Sequence, residues 1–276
     1  MTGARSKIRL VAAAVVLAGI VATVVATSVS AKPTAVNATG LMDPTTLVVG
    51  MDLQFKPQMY LQNGKPAGYD VVLLNALAKQ LGVKLKIENL DFNGLIPGLQ
   101  AKKFDMVSVG LSPTPERRKV ISFSRAYVPY AQILAAKKGD STAASIAAWN
   151  DPSKTITSLQ GSTAEQLVQK LFPKANSKSF PDQNAAFLEV ATGRASGIVV
   201  ENYLLAQFNK SNGNKLQEVA FPKPLQVQYG AYAVQKGNLT LIRALNKFIC
   251  SVQNNGRLAK IYQQTEGTTL PPMPHC

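Results

Sequence analysis

The 276-residue sequence predicts an α/β protein built from two sheet-and-helix units. Three observations carry this. Apolar strand patterns alternate with helical periodicity over residues 46–109, the alternation resumes after a strand at 130–136, and a late strand at 229–234 precedes two closing helices.

In the first unit, residues 46–51 read as a buried strand. Gln62-Asn63-Gly64-Lys65 reads as a hairpin turn, since Asn-Gly accepts the positive φ that a two-residue turn needs. Val71, Leu74, Leu77, Ala78 and Leu81 recur at helical spacing, with Asp70 placed to cap that helix and Gly82 to end it. Residues 83–87 alternate as a strand, Asn93 is placed to cap a helix through Leu95, Ile96, Leu99 and Lys102, and 105–109 is the next strand.

The second unit follows the polar insert Gly139-Asp140-Ser141-Thr142. Residues 154–158 form a strand, Gly161-Ser162-Thr163 opens a helix through Leu167 and Leu171, 184–191 is another helix, 196–200 a buried strand and 203–208 a helix. Beyond the strand at 229–234, helices at 239–252 and 257–263 are separated by Asn254-Asn255-Gly256. A returning strand that rejoins the first unit makes the chain cross between units twice. Two crossings form a hinge, and a hinge suits closure around a ligand.

The ends of the chain bear on its location. Arg5, Lys7 and Arg9 precede an uncharged apolar run of 17 residues, 10–26, and Val29-Ser30-Ala31 offers small side chains for cleavage before Lys32. This pattern is an export signal over residues 1–31, followed by a polar lead over 32–44. The run is also just long enough to cross a bilayer, so an uncleaved anchor is the alternative. Removing 1–31 leaves 27 basic against 15 acidic residues, a net charge of +12. The lysines are scattered rather than gathered into an aromatic-interleaved stripe, which argues against nucleic acid as a partner. With only Cys250 and Cys276 present in an exported chain, one disulfide is the economical reading and two unpaired thiols the other.

The stretch Gly110-Leu111-Ser112-Pro113-Thr114-Pro115-Glu116-Arg117-Arg118 leaves an apolar strand, turns through prolines and presents paired arginines. Open α/β sheets bind ligands at the carboxyl ends of their strands, and a guanidinium held there meets a carboxylate with two charge-assisted hydrogen bonds. A solvated basic turn is the plain alternative.

Further residues support a resemblance to the periplasmic amino-acid-binding proteins of ABC importers, the extracellular solute-binding family 3, and among them to glutamine- and histidine-type members. They are Val48-Val49-Gly50-Met51-Asp52, Gly68-Tyr69-Asp70, Asp91-Phe92-Asn93-Gly94-Leu95-Ile96-Pro97, the Leu111-to-Arg117 turn, Phe123-Ser124, Gln228-Tyr229-Gly230 and Asn255-Gly256. The resemblance implies a type II periplasmic-binding-protein fold, a Venus flytrap of two lobes. Each lobe is a β-sheet flanked by helices, and two hinge crossovers join them. Lobe 1 would take residues 45–132 and 227–276, and lobe 2 residues 133–226.

The resemblance also assigns roles. Arg117 would bind the ligand's α-carboxylate together with Ser162 and Thr163 at a helix start, while Arg118 has no such role. Glu201 would take the α-ammonium, helped by the Gly110 carbonyl and by Ser112. Phe55 and Phe92 would sandwich the ligand's side chain, and Asp52 would accept from its N–H groups. Taken alone, Ser162 and Thr163 are equally helix caps, both phenylalanines core residues, and Glu201 a carboxylate favoured at a helix N-terminus.

The implied function is substrate binding for an amino-acid ABC importer. A free, polar L-amino acid is captured between the lobes of a periplasmic or otherwise exported monomer and delivered to a membrane permease. No cofactor and no metal is implied, and no catalytic residue. The sole histidine, His275, sits in a Pro-rich tail, and no paired carboxylate accompanies Glu201. The rivals are an exported enzyme on the same scaffold, similar to cyclohexadienyl dehydratase, and a sensor ectodomain if the N-terminal segment stays uncleaved.

Overall fold

The computed structural model describes residues 39–276. The expected signal at 1–31 and most of the polar lead at 32–44 lie outside the described residues. In chain order the elements are β1 (Thr46–Met51), β2 (Gln54–Phe55), β3 (Met59–Gln62), β4 (Lys65–Ala67), α1 (Tyr69–Leu81), β5 (Lys84–Asn89), α2 (Phe92–Gln100), β6 (Met106–Leu111), α3 (Pro115–Val120) and β7 (Ile121–Lys137). There follow α4 (Ile146–Trp149), β8 (Thr155–Leu159), α5 (Thr163–Leu171), β9 (Asn176–Phe180), α6 (Gln183–Ala191), β10 (Gly197–Glu201), α7 (Asn202–Asn212), β11 (Leu216–Glu218), β12 (Gln226–Gln235), α8 (Leu239–Asn254) and α9 (Arg257–Glu266).

Strands run in the order β5-β1-β6-β12-β7-β10-β8-β9, with β11 beside β7. Each end of this order is a parallel block, β5-β1-β6 on one side and β10-β8-β9 on the other. Parallel strands are covered on both faces, which is why β6 and most of β10 are buried along their length. Between the blocks lie the two crossing strands. Residues 121–132 of β7 pair with β12, and its end pairs with β10 and β11. Gln132 marks the change of partner, facing Gln226 on β12 and Glu201 on β10. The two crossings expected from the sequence are therefore β7 and β12.

The larger apolar cluster packs Leu47, Val49, Leu74, Leu77, Leu99 and Phe104 around the first block and continues along β12, α8 and α9. A second gathers Trp149, Ile156, Leu167, Val168, Phe172 and Val199 beneath the second block. Cys250 and Cys276 are joined, tying the C-terminal tail to α8.

Two expected caps are corrected. Helix α1 starts one residue before Asp70, with Gly68 in the cap position at φ 111 and no side-chain cap bond. A Cβ there would stand 2.4 Å from the Gln58 carbonyl oxygen, so the chain needs glycine at this close approach. Asp70 instead points into the core, where it accepts from Ser108 Oγ at 2.6 Å and the Tyr127 hydroxyl at 2.5 Å. Asn93 lies inside α2, whose cap position is Asp91, and it donates across to Gln160 Oε1 at 3.2 Å.

Candidate functional site

The four parallel strands β1, β6, β8 and β10 end at one crevice, and the loop after each delivers side chains into it. The loop after β1 leads to Phe55 and Gln58. That after β6 brings Ser112 and Arg117, that after β8 brings Ser162 and Thr163, and β10 ends on Glu201. Phe92 at the start of α2 and Tyr130 on β7 complete the wall. These residues, with Gly110, Leu159 and Tyr203, line one small cavity of about 30 Å³.

Arg117 owes its position to α3. Thr114 caps this helix by accepting from the Arg117 N–H at 3.3 Å, and Pro115 supplies a pre-set φ for its first turn. The guanidinium is buried, with the residue only 7% exposed. Its Nη1 donates to the Ser112 carbonyl at 3.1 Å, its Nη2 to the Gly161 carbonyl at 2.9 Å, and it lies 5.7 Å from the Phe92 ring centre. The Gly161 bond joins the two blocks across the crevice. Ion pairs among the described residues involve Lys86, Lys178 and Arg194, none of them this arginine. Burial lowers its pKa from the ordinary guanidinium value, while the charges of Tyr130 and Glu201 act in the opposite direction. A buried cation with N–H groups to spare calls for an anion.

Glu201 occupies the cap position of α7 but makes no side-chain cap bond. Its Oε1 accepts from Gln132 Nε2 at 3.2 Å, and burial raises its pKa above the usual carboxylate value. Gln132 Nε2 also donates to Thr163 Oγ1 at 2.9 Å. Thr163 Oγ1 in turn donates to Gln228 Oε1 at 2.9 Å, and Ser112 Oγ donates to the same oxygen at 2.6 Å. A chain of hydrogen bonds thus runs Ser112, Gln228, Thr163, Gln132, Glu201. It crosses from one parallel block to the other through one glutamine on each crossing strand.

Ser162 does cap α5, accepting from the Glu165 N–H at 3.2 Å and donating to the Leu159 carbonyl at 2.7 Å. Its hydroxyl is spent within the loop. What this corner offers a ligand is the first-turn N–H groups of α5, which helix geometry leaves unbonded; the Thr163 hydroxyl proton is already given to Gln228.

Phe55 and Phe92 meet edge to face, ring centres 6.3 Å apart and planes at 83°, so they form a corner rather than two parallel plates. Asp52 is buried but stands outside the cavity lining, with Oδ2 accepting from Gln54 Nε2 at 2.6 Å. Burial pushes its pKa up to about 6 against the pull of that hydrogen bond. The structure therefore brings Phe55, Phe92, Gly110, Ser112, Arg117, Ser162, Thr163 and Glu201 together and leaves Asp52 behind them. Sequence reasoning missed Gln58, Tyr130, Gln132, Tyr203 and the hydrogen-bonding part of Gln228. The available signal was polarity out of place: Gln132 interrupts the apolar run from Ala131 to Ala136, and Gln228 stands between Val227 and Tyr229.

Comparison with known proteins agrees with this geometry. The chain is 30% identical over 217 residues, 78% of its length and 84% of the relative's, to an arginine-binding extracellular protein of Bacillus subtilis (strain 168). The fold matches an ancestral arginine-binding protein bound to arginine with a TM-score of 0.74 at 33% identity, covering 80% of this chain and 97% of that one. It also matches an ancestral amino acid-binding protein that is a precursor of cyclohexadienyl dehydratase, with a TM-score of 0.73 at 32% identity, covering 80% and 95%. Residues 47–267 match the model of the bacterial extracellular solute-binding proteins, family 3, and with its parallel blocks joined by two crossing strands the chain belongs to that family.

Proposed function

We propose that the protein is the substrate-binding component of an amino-acid ABC importer. It takes a free, polar L-amino acid into the crevice and delivers it to a membrane permease. One observation carries this reading: a buried cation, Arg117, and a half-buried carboxylate, Glu201, line one cavity without being paired to each other. A zwitterion supplies the missing partner to each, and neutralises both without leaving a net charge in the site. Its carboxylate meets Arg117 and the N-terminus of α5; its ammonium meets Glu201, the Gly110 carbonyl and Ser112 Oγ.

The lobes divide at residues 45–132 with 227–276, and at 133–226, a division supported by the facing of Gln132 and Gln226 where β7 changes partner. Ligand held between them favours the closed arrangement, because only there do the contacts from both lobes coexist. Among the described residues no helix is long and apolar enough to cross a membrane. The protein acts outside the cytoplasm as a monomer, released by cleavage after residue 31.

The test is a thermal-shift screen of the mature protein against the twenty L-amino acids, followed by titration calorimetry. A binder shows one or a few ligands raising the melting temperature, because whatever binds only the native state stabilises it. No shift with any of them overturns the reading. The likeness to a dehydratase precursor gives a second reading, with Glu201 as the acid. Incubation with prephenate separates the two, since a binder returns it unchanged.

A further inference from the structure

The acceptors that would hold a ligand's ammonium are already engaged by the protein itself. The Tyr130 hydroxyl donates to the Gly110 carbonyl and lies 2.9 Å from Ser112 Oγ. Glu201 is near enough that its charge adds to burial in raising the Tyr130 pKa. A phenol brings one proton to this corner, whereas an ammonium brings three and no lone pair. The Ser112 proton is committed to Gln228 and the Gln132 amide reaches only one oxygen of Glu201. The corner is rich in acceptors and short of hydrogen, and the phenol fills it incompletely.

Tyr130 also has somewhere to go. With Tyr203 it lines a second cavity of about 480 Å³, whose lining also includes Pro57, Tyr262 and Glu266. Tyr130 thus borders both the ligand cavity and this second cavity.

We propose that Tyr130 is a tethered competitor: its hydroxyl occupies the ammonium seat of the empty site and swings toward the second cavity when an α-amino acid binds. This makes it a specificity-determining residue, one that weakens the binding of α-amino acids relative to the same acids lacking the α-amino group. The proposal rests on the amino-acid reading of the site. The apparent affinity of an amino acid is its intrinsic affinity multiplied by the fraction of molecules with the seat vacated, so a fraction of about one tenth weakens binding about tenfold.

The test is a four-way titration by calorimetry. Wild type and Tyr130→Phe are each titrated with L-arginine, L-histidine and L-glutamine, and with 5-guanidinopentanoate, imidazolepropanoate and 4-carbamoylbutanoate, the counterparts without the α-amino group. Within each protein the ratio of the counterpart's dissociation constant to the amino acid's cancels any general loss of stability. The expected result is that Tyr130→Phe tightens the α-amino acid and raises that ratio about tenfold or more. A smaller rise, an unchanged ratio or weaker amino-acid binding in Tyr130→Phe makes Tyr130 a wall or a ligand contact; the competitor is overturned while the amino-acid site stands. Absence of binding by both proteins across the twenty L-amino acids refutes the amino-acid reading and the competitor with it.

Discussion

Replacing Arg117 by alanine tests the electrostatics of the site most directly. Among the described residues this is the one arginine buried at the crevice, and besides facing the cavity it donates to the Ser112 carbonyl at 3.1 Å and to the Gly161 carbonyl at 2.9 Å. Arg117→Ala strips the ligand carboxylate of its buried counter-charge, which costs about 2 to 5 kcal/mol. The lost Gly161 bond also weakens the closed arrangement, since it joins the blocks only when they meet. At about 1.4 kcal/mol per decade the loss is about 30-fold to several-thousand-fold, taking a micromolar ligand toward millimolar or out of range. Arg118→Ala is the matched control. That side chain is exposed, bonds the Pro113 carbonyl at 3.1 Å and lies over Phe123 at 5.5 Å, so its loss changes affinity by less than about threefold. Titration calorimetry with the amino acid selected by the thermal screen reads both, and a melting curve of each variant confirms that it is folded. Undiminished affinity in folded Arg117→Ala, or an equal loss in Arg118→Ala, refutes the argument.

The remaining predictions concern the frame around the site. Gly230 on β12 runs so close to β6 that a Cβ would stand 2.6 to 2.7 Å from Gly110 Cα, C and O, all backbone atoms that cannot turn aside. Gly230→Ala therefore costs about 1 to 3 kcal/mol by urea denaturation, and it displaces the Gly110 carbonyl enough to weaken amino-acid binding. Removing the Cys250–Cys276 bond, which spans 26 residues, by double serine substitution costs about 3 to 4 kcal/mol and lowers the melting temperature by about 10 °C; an unchanged melting temperature counts against it. Burial, with the charge of Asp70 adding, raises the Glu266 pKa to about 8, and burial raises Asp70 to about 6. The folded protein thus keeps protons that the unfolded chain has released. These groups favour the fold below about pH 4, and that advantage is lost as pH rises through 6 and then 8. Glu266→Gln removes the upper part of this loss. Melting curves should show the variant a few degrees above wild type at pH 9 and level with it at pH 4.

What the sequence disclosed and what it withheld follow from the range of the forces involved. The parallel strands β1, β6 and β10 were legible because burial on both faces demands largely apolar runs. The turn after β6 was legible because prolines and paired arginines mark it. The short helix α3 was not, since Pro-Glu-Arg-Arg-Lys-Val has no apolar period and the helix depends on the Thr114 cap. Only the second half of β7 was visible as a strand; Pro129 and the polar residues at 122, 124 and 125 break the pattern, and its continuity depends on pairing with β12. Residue type misled at Asp70 and Asn93, both good caps in isolation, because a close backbone approach at Gly68 moved one helix start and Asp91 took the other cap position. Asp52 shows the same limit at the site, where a strand-end carboxylate can point either way and a neighbouring Gln54 claimed it. Tyr130 was invisible as a functional residue. An aromatic ring in an apolar strand is a core residue until its hydroxyl partners are known.

The position of the two glutamines ties the site to the hinge. Gln132 sits on β7 where that strand exchanges β12 for β10, and Gln228 lies on β12 two residues beyond Gln226, which pairs with Gln132. Thr163 Oγ1 is bonded to both side chains, so the corner of the second block that faces the ligand carboxylate is anchored on the crossing strands themselves. Ser112 shares the Gln228 oxygen from the first block, and Glu201 shares the Gln132 amide from the second. Any rotation of one block against the other about β7 and β12 must stretch this chain at Gln228, between Ser112 and Thr163. Under the function proposed above, a bound amino acid would bridge the same two corners, from its ammonium at Ser112 to its carboxylate at the N-terminus of α5 that Thr163 opens. On that reading ligand and hinge would be coupled through the two hydrogen bonds to the Gln228 amide oxygen, and a ligand spanning both corners would resist opening from within the network that opening has to break.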